Sequence, residues 1–402
     1  MERIVVVGAG QAAASCVARL RSRGFDGSIT LIGDEPALPY QRPPLSKAYL
    51  LGEMERDRLL LRPSGYYAEN GIGVRIGSPA TAIDRAAKTV TADGRTLEYD
   101  QLVLCTGSVP RRLPATIGGT LENVFVVRTL ADVDAMAPQF QPGRRVLIIG
   151  GGYIGLEAAA VAAKLGLSAT LVEMAPRILQ RVAAEQTSDY FRDLHASHGV
   201  TIREGIGLKR LLGETVVTGA ELTDGSVVDA DFVIAGVGIT PATALAEAAG
   251  LVIDNGIAVD AQGRTSDPSI WAAGDCASFP AGDGRMRLES VGNAIDMGEL
   301  VADNILGDGR AYVAKPWFWS DQYDTKLQIA GLSTGFDRVV TRTGADGAVS
   351  FWYYAADRLI ALDAMNDSRA YMVGKRLIEA GKSPAADTVA DPSTDLKALL
   401  KA

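Results

Sequence analysis

The stretch VLIIGGGYIGLEAAAVAAKLGLSATLVE, residues 146–173, leaves this chain fewer choices than any other part of it. The apolar run Val146-Leu147-Ile148-Ile149 reads as a strand buried on both faces, because no polar residue alternates within it. It leads directly into Gly150, Gly152 and Gly155 in G-x-G-x-x-G register, then an alanine-rich helix, a stop at Gly166, a second apolar strand and an acid. That order is a complete βαβ dinucleotide fingerprint. Gly150 permits the tight turn, Gly152 lets the backbone approach a pyrophosphate, and Gly155 lets the helix lie against the sheet. The helix start offers N–H groups and a positive dipole end to phosphates. Glu173 follows Gly152 by about 20 residues, the spacing at which a carboxylate accepts ribose hydroxyls. A carboxylate there repels a ribose 2′-phosphate and favours NADH over NADPH. Arg177 and Arg181 soften that preference, since arginine is the usual phosphate reader.

The N-terminus repeats the pattern. Ile4-Val5-Val6-Val7 is a buried strand, Gly8-Ala9-Gly10-Gln11-Ala12-Ala13 is the G-x-G-x-x-A form of the fingerprint, a helix runs toward Arg23-Gly24, and Ser28 to Ile32 is the second strand. Asp34 and Glu35 supply the acid, a few residues later than Glu173 does. Two fingerprints about 140 residues apart call for two sheets and two cofactors. The simplest pairing is a tightly held flavin in one and a nicotinamide in the other.

Between and after these units the chain punctuates itself. Pro39, Pro43 and Pro44 set an extended approach, after which Ser46 is expected to cap a short helix near Lys47. A cation here could sit against a flavin ring or its phosphates, with Lys47 first and Arg42 second. Short alternating strands between Gly73 and Val103 form a β excursion, closed by the buried strand Leu102-Val103-Leu104-Cys105 and the Thr106-Gly107 turn. Pro110 and Pro114 mark an exit, Arg128-Thr129 precedes a short helix, and a second domain starts between Pro114 and Leu130. That domain repeats the architecture, with alternation from Val216 to Val228 and a terminal strand from Phe232 to Gly238. After Pro241 the chain returns. Ile270-Trp271-Ala272-Ala273-Gly274 brings Asp275 to a sheet mouth, placed to accept from a cofactor polyol. Glu289 to Ala294 opens a helix whose start could face a flavin pyrimidine. The cluster Trp317-Phe318-Trp319-Ser320-Asp321-Gln322-Tyr323 precedes alternating strands and a helix from Ala370, an α+β third domain. Its aromatics serve as core, or Trp319 walls an isoalloxazine. The tail after Lys382 is expected to be loose until Leu396.

Composition excludes several classes. A formal charge of -8 over 402 residues argues against nucleic acid as the main partner. No run of about 18 apolar residues is available to span a membrane, and Met1-Glu2-Arg3 leads straight into a strand, so the expected setting is cytoplasmic. Cys16, Cys105 and Cys276 form no C-x-x-C or C-x4-C pair, so no redox dithiol is encoded; each is expected to be buried in a reducing compartment. His195 and His198, in HASHG, lack partners at metal spacing and read as surface residues; no metal site is expected.

GAGQAA, LPYQRPPLSKAYL, LVLCTGS, VLIIGGGYIGLEAAA, VIAGVGITP, WAAGDCA, LESVGNA and WFWSDQY occur in that order. In this the chain resembles the ferredoxin reductase components of bacterial oxygenase systems, the putidaredoxin-reductase-like branch of the glutathione-reductase-like flavoproteins. The resemblance implies an α/β protein with two Rossmann-like dinucleotide-binding domains. FAD would occupy 1–112 plus 240–317, an inserted NADH domain 113–239, and an α+β C-terminal domain 318–402. It further implies that FAD is held by Gly8, Gly10 and Ala12, by Asp34 or Glu35 with Asp34 preferred, and by Lys47, Ala80, Thr106, Gly107, Arg128, Asp275, Val291 and Trp319. The nicotinamide nucleotide would be held by Gly150, Gly152, Tyr153, Ile154, Gly155, Glu157, Glu173, Arg181 and Gly238, with Glu289 near the nicotinamide. Lys47, paired with Glu157, would tune charge near the flavin N5. The implied activity is hydride transfer from NADH to FAD, with electrons leaving singly to a [2Fe-2S] ferredoxin that feeds a monooxygenase or dioxygenase. The protein would be a monomer or weak dimer. A rubredoxin reductase or NADH oxidase of the same fold is the nearest alternative. A flavoprotein of the apoptosis-inducing-factor type would be expected to show a leader and a basic surface.

Overall fold

A computed structural model describes residues 2–401; Met1 and Ala402 lie outside the described residues. The chain divides into two compact units. The first runs up to Arg42 and includes Glu55–Val109 and Ile239–Pro316; the second comprises Pro43–Met54, Pro110–Gly238 and the chain from Trp317 onward. The segment 43–54, expected within the first domain, thus groups with the second fingerprint, and so does the C-terminal part.

In the first unit a five-stranded parallel sheet has the order Ile270–Ala272, Gln101–Leu104, Arg3–Val7, Ser28–Ile32, Ile72–Arg75. The fingerprint strand is central, so it is covered on both faces, and its side chains are correspondingly apolar: Ile4, Val5, Val6 and Val7 are all buried. The helix Gln11–Ser22 follows the fingerprint turn and lies against Val291–Ile305. Their approach demands Gly298, where a Cβ would stand 2.4 Å from the Ala12 carbonyl oxygen. At their far ends Asp303, almost fully buried, pairs with Arg19 and Arg23 at 2.7 Å each and with Arg310 at 2.5 Å. The β excursion is the antiparallel sheet Ala80–Asp84, Thr89–Ala92, Arg95–Glu98.

The second unit repeats this design. Its parallel sheet has the order Thr201–Glu204, Ser168–Glu173, Arg145–Ile149, Phe232–Ala235, Val124–Phe125, with the fingerprint strand again central. Its own small antiparallel sheet is Leu208–Leu212, Gly219–Leu222, Val227–Asp229. The short helix Leu130–Met136 starts at a reciprocal capping box between Thr129 and Asp132. The C-terminal part is a five-stranded antiparallel sheet, Trp317–Gln322, Thr325–Gly331, Arg358–Met365, Val349–Ala355, Arg338–Thr343, covered by the helix Ser368–Glu379. Gly374 lets that helix close onto the sheet, since a Cβ there would meet Leu362 at 2.5 Å.

Three expectations are corrected here. The WFWSDQY segment, expected to precede the strands of the third domain, is itself a strand, Trp317–Gln322. Its alternation was hidden because the inward residues Ser320 and Gln322 are polar. The tail after Lys382 is not loose: a helix, Ala386–Ala390, buries Val389, and the Arg342 guanidinium donates to the carbonyls of Val389, Asp391, Pro392 and Thr394. Ser46 caps no helix. A 3-10 turn, Pro43–Ser46, ends there, and the hydroxyl donates to Glu157 instead.

Candidate functional site

Each fingerprint builds a turn whose glycines, three in the second unit and two in the first, answer to different neighbours. In the second unit Gly150 has φ +105°, and a Cβ there would sit 2.4 Å from the Gly236 carbonyl oxygen; at Gly155 it would sit 2.1 Å from that of Gly150. Both are required by the protein's own backbone. Gly152 is different: its φ is -81°, open to any residue, and a Cβ would meet no protein atom within 4 Å. The first unit behaves alike. Gly8, at φ +115°, would place a Cβ 2.1 Å from the Cys105 carbonyl oxygen, whereas Gly10 faces open space.

The middle glycines therefore leave room for something that is not protein. Both are the N-caps of twelve-residue helices, neither helix start is capped by a side chain, and neither has an acid in its first turn. Unpaired N–H groups and a positive dipole end point into each space, so the residues fit a pyrophosphate at both turns. Tyr153 and Ile154 are the first helical residues of the second cradle, and Ala12 is buried in the corresponding helix of the first.

The acids differ between the cradles. The Glu173 carboxylate accepts from Gly151 N at 2.6 Å and Ala175 N at 2.7 Å, which fixes it at the strand end beside the turn. Arg177 is engaged with Ser188 and the Ala183 carbonyl, while Arg181 is exposed. In the first unit Glu35 accepts from Tyr40 Oη at 2.6 Å and pairs with Arg42 at 2.5 Å. That commits both Glu35 and Arg42 to each other, and Asp34 is the exposed acid of the pair. Elsewhere in the first unit Asp275 accepts from Ser108 Oγ at 2.9 Å, and Thr106 donates to the Ala242 carbonyl at 2.7 Å beside Gly107, whose φ is +70°. Glu289 is ion-paired with Arg287 at 2.7 Å. Val291 opens a fifteen-residue helix capped by Ser290. Ala80 begins its small sheet, half-buried.

In the second unit the structure brings Lys47 and Glu157 together: Lys47 Nζ lies 2.7 Å from Glu157 Oε2 and 3.0 Å from the Pro43 carbonyl oxygen. Glu157 projects from the fingerprint helix Tyr153–Lys164 and is buried, and its other oxygen accepts from Ser320 at 2.7 Å. Trp319 stacks on Trp317, ring centroids 5.6 Å apart, while Phe318, on the opposite face of the strand, packs against Tyr153 at 4.8 Å. Arg128 is half-buried just before the Thr129 cap, and Gly238, at φ +97°, ends the second unit's middle segment.

Sequence reasoning missed His195. Read as a surface residue, it is fully buried, its Nε2 2.8 Å from Gln322 Oε1 and its Nδ1 2.9 Å from Tyr323 Oη. Burial pushes its pKa down to about 4. The signal was present in the helical period, since Thr187, Phe191 and His195 form one buried stripe of the helix Glu185–Ser197. His198 is exposed and stacks on Tyr323. The three cysteines are free and buried; burial raises all three thiols, that of Cys16 to about 12, so none offers a thiolate. Among the described residues no helix is long and apolar enough to cross a membrane.

Comparison with known proteins adds two family matches: the pyridine nucleotide-disulphide oxidoreductase model covers residues 2–298 and the reductase C-terminal model residues 317–400. The chain is similar to a ferredoxin–NAD(P)+ reductase from a Sphingomonas species, 45% identical over 98% of this chain and 96% of that one. It is similar also to the ferredoxin–NAD+ reductase component of the anthranilate 1,2-dioxygenase system of Burkholderia cepacia, 41% identical over 98% of each. Among solved structures it matches the reductase in the covalent putidaredoxin reductase–putidaredoxin complex, with a TM-score of 0.95 and 39% identity over 100% of this chain and 98% of that one.

Proposed function

We propose, from the premise that this chain belongs to the pyridine nucleotide-disulphide oxidoreductase family and carries a reductase C-terminal domain, that it is an NADH-dependent ferredoxin reductase of an oxygenase system. The supporting observation is the pair of cradles whose middle glycines, Gly10 and Gly152, face open space under uncapped helix starts. One cradle serves FAD and the other the nicotinamide nucleotide.

When bound, the flavin supplies the conversion from a hydride to two single electrons. The chain's own groups bind and orient. Helix amides behind Gly10 and Gly152 hold phosphates, Asp34 and Glu173 take the riboses, and Asp275 accepts from the polyol. Lys47, held by Glu157, directs a positive charge toward the flavin ring. No protein thiol takes part, because the buried, unpaired cysteines lack the dithiol that the family's name describes. Electrons therefore pass to an external carrier, a [2Fe-2S] ferredoxin serving a monooxygenase or a dioxygenase. Such carriers are acidic, as is this chain, so docking uses a local basic patch and weakens with salt. The setting is cytoplasmic and the protein a monomer or weak dimer.

Stopped-flow mixing with NADH should bleach the flavin absorbance quickly, and added ferredoxin should restore it. Bleaching by NADPH or a thiol alone would refute the assignment. Rapid reoxidation by oxygen or rubredoxin, with ferredoxins inert, would transfer the reading to an oxidase or a rubredoxin reductase.

A further inference from the structure

Five buried or half-buried side chains of the second unit form one continuous line of hydrogen bonds. Tyr323 Oη lies 2.9 Å from His195 Nδ1, and His195 Nε2 lies 2.8 Å from Gln322 Oε1. Gln322 Nε2 lies 3.1 Å from Ser320 Oγ, which lies 2.7 Å from Glu157 Oε1. The other carboxylate oxygen, Glu157 Oε2, takes Ser46 Oγ and Lys47 Nζ, both at 2.7 Å. The line crosses three elements: His195 from the helix Glu185–Ser197, Ser320 and Gln322 from the inward face of the strand Trp317–Gln322, and Glu157 from the fingerprint helix.

Its direction follows from the end at Glu157. A carboxylate only accepts, so Ser320 donates to it and must itself accept from the Gln322 amide nitrogen. The Gln322 oxygen then faces His195, which requires the imidazole proton on Nε2. Nδ1 is left as an acceptor and receives the Tyr323 hydroxyl. Every proton in the line points toward Glu157. Like the Gln322 amide, a neutral imidazole accepts at one end and donates at the other without bringing a charge into this interior, and burial keeps His195 neutral.

We propose that Ser320, Gln322 and His195 are positioning residues for Lys47: the one-way line fixes the rotation of the Glu157 carboxylate, and that carboxylate aims the lysine ammonium at the flavin. Without the Ser320 donor, Oε1 has lost the bond that opposes Ser46 and Lys47 at Oε2, and the carboxylate turns. The inference rests on the reading that Lys47 addresses the flavin, so its test separates the two.

The flavin midpoint potential of the holoenzyme is measured by dye equilibration in the wild type, Ser320→Ala, Lys47→Met and the double variant. Lys47→Met should shift the reduction equilibrium, and Ser320→Ala should shift it the same way by about tenfold, about 30 mV for a two-electron couple. In the Lys47→Met background Ser320→Ala should move nothing, since it acts through the lysine. An equal Ser320→Ala shift in both backgrounds would overturn the inference while leaving the lysine's role standing. A Lys47→Met potential equal to the wild type would overturn the role of the lysine, and the inference with it. A second readout needs no variant at His195 and no activity. With two histidines in the chain, imaging the imidazole nitrogens by NMR is tractable, using His198→Gln for assignment. His195 should carry its proton on Nε2; a proton on Nδ1 reverses the line and refutes it.

Discussion

The fingerprint glycines of the second cradle make a paired prediction, because Gly152 and Gly155 differ in what a single methyl would meet. At Gly155 a Cβ would lie 2.1 Å from the Gly150 carbonyl oxygen, so helix and turn must part. Overpacking of this kind destabilises by about 1–3 kcal/mol, and a backbone partner that cannot rotate away puts Gly155→Ala near the top of that range. At about 2–4 °C per kcal/mol for a unit of this size, the melting temperature of the apoprotein should fall on the order of 6–12 °C. At Gly152 a Cβ meets nothing within 4 Å and the backbone angles suit alanine, so Gly152→Ala should leave stability within about 1 kcal/mol. The methyl instead stands where a phosphate would approach the helix amides, removing about one charge-assisted hydrogen bond of 1.5–3 kcal/mol. NADH affinity should drop by roughly ten- to a hundredfold. Thermal melting and NADH titration of the two variants decide it. If Gly152→Ala melts with Gly155→Ala, or binds NADH as tightly as the wild type, the middle glycine serves the protein and the cradle argument fails.

Three further perturbations test other parts of the chain. Burial pushes Asp363 from 3.8 up to about 6 beside Thr187 and Tyr353, so the folded state binds a proton more tightly than the unfolded one. Its destabilising contribution therefore grows as pH rises from about 4 to about 6 and is complete above that, about 3 kcal/mol. Asp363→Asn should raise the melting temperature at pH 8 and flatten the slope between pH 4 and 6; an unchanged slope counts against it. Asp303 shifts the other way, held below its usual value by Arg19, Arg23 and Arg310 despite its burial. Its contribution is present above the unfolded pKa and is lost as pH falls through the folded one, and Asp303→Asn should destabilise by about 1–3 kcal/mol, moderated because the arginines are partly solvated. A urea midpoint equal to the wild type at pH 7 would dispose of that claim. Arg342→Ala should release the carbonyls it holds and speed limited proteolysis within 386–400 at least tenfold, with the first unit's fragments unaffected.

What could be read in the sequence was what is local. Both fingerprints, the paired parallel sheets and the antiparallel excursions follow from runs of neighbouring residues, such as Ile4 to Gly10 or Val146 to Gly155, whose apolar period and glycine spacing carry the geometry. The relay was not legible. His195 meets Gln322 and Glu157 meets Ser320 across more than a hundred residues, and the polar character of Ser320 and Gln322 masked the strand that delivers them. The pinned tail escaped for a similar reason, because its backbone is satisfied by one arginine from a distant strand rather than by its own pattern.

The late acid of the first cradle has a steric origin that only the register exposes. Val7 pairs with Ile32 as Ile149 pairs with Val172, so Gly33 occupies in the first sheet the place that Glu173 holds in the second. A Cβ on Gly33 would lie 2.6 Å from the Cβ of Ala9; a Cβ on Gly151, the counterpart of Ala9, would meet Ile178 Cγ2 at 2.6 Å and the Cβ of Glu173 at 3.2 Å. In the first cradle the turn carries the side chain and the strand end has none; in the second the strand end carries it and the turn has none. With alanine on the turn, the strand must end in glycine, and an acid can appear only beyond it, at Asp34 or Glu35. Because Tyr40 and Arg42 hold Glu35, the proposed function leaves the exposed Asp34 as the acid that would take a ribose in the first cradle, where Glu173 would take one from the strand end in the second. The Ala9 methyl therefore accounts for the glycine at the first cradle's strand end and for the later place of its acid.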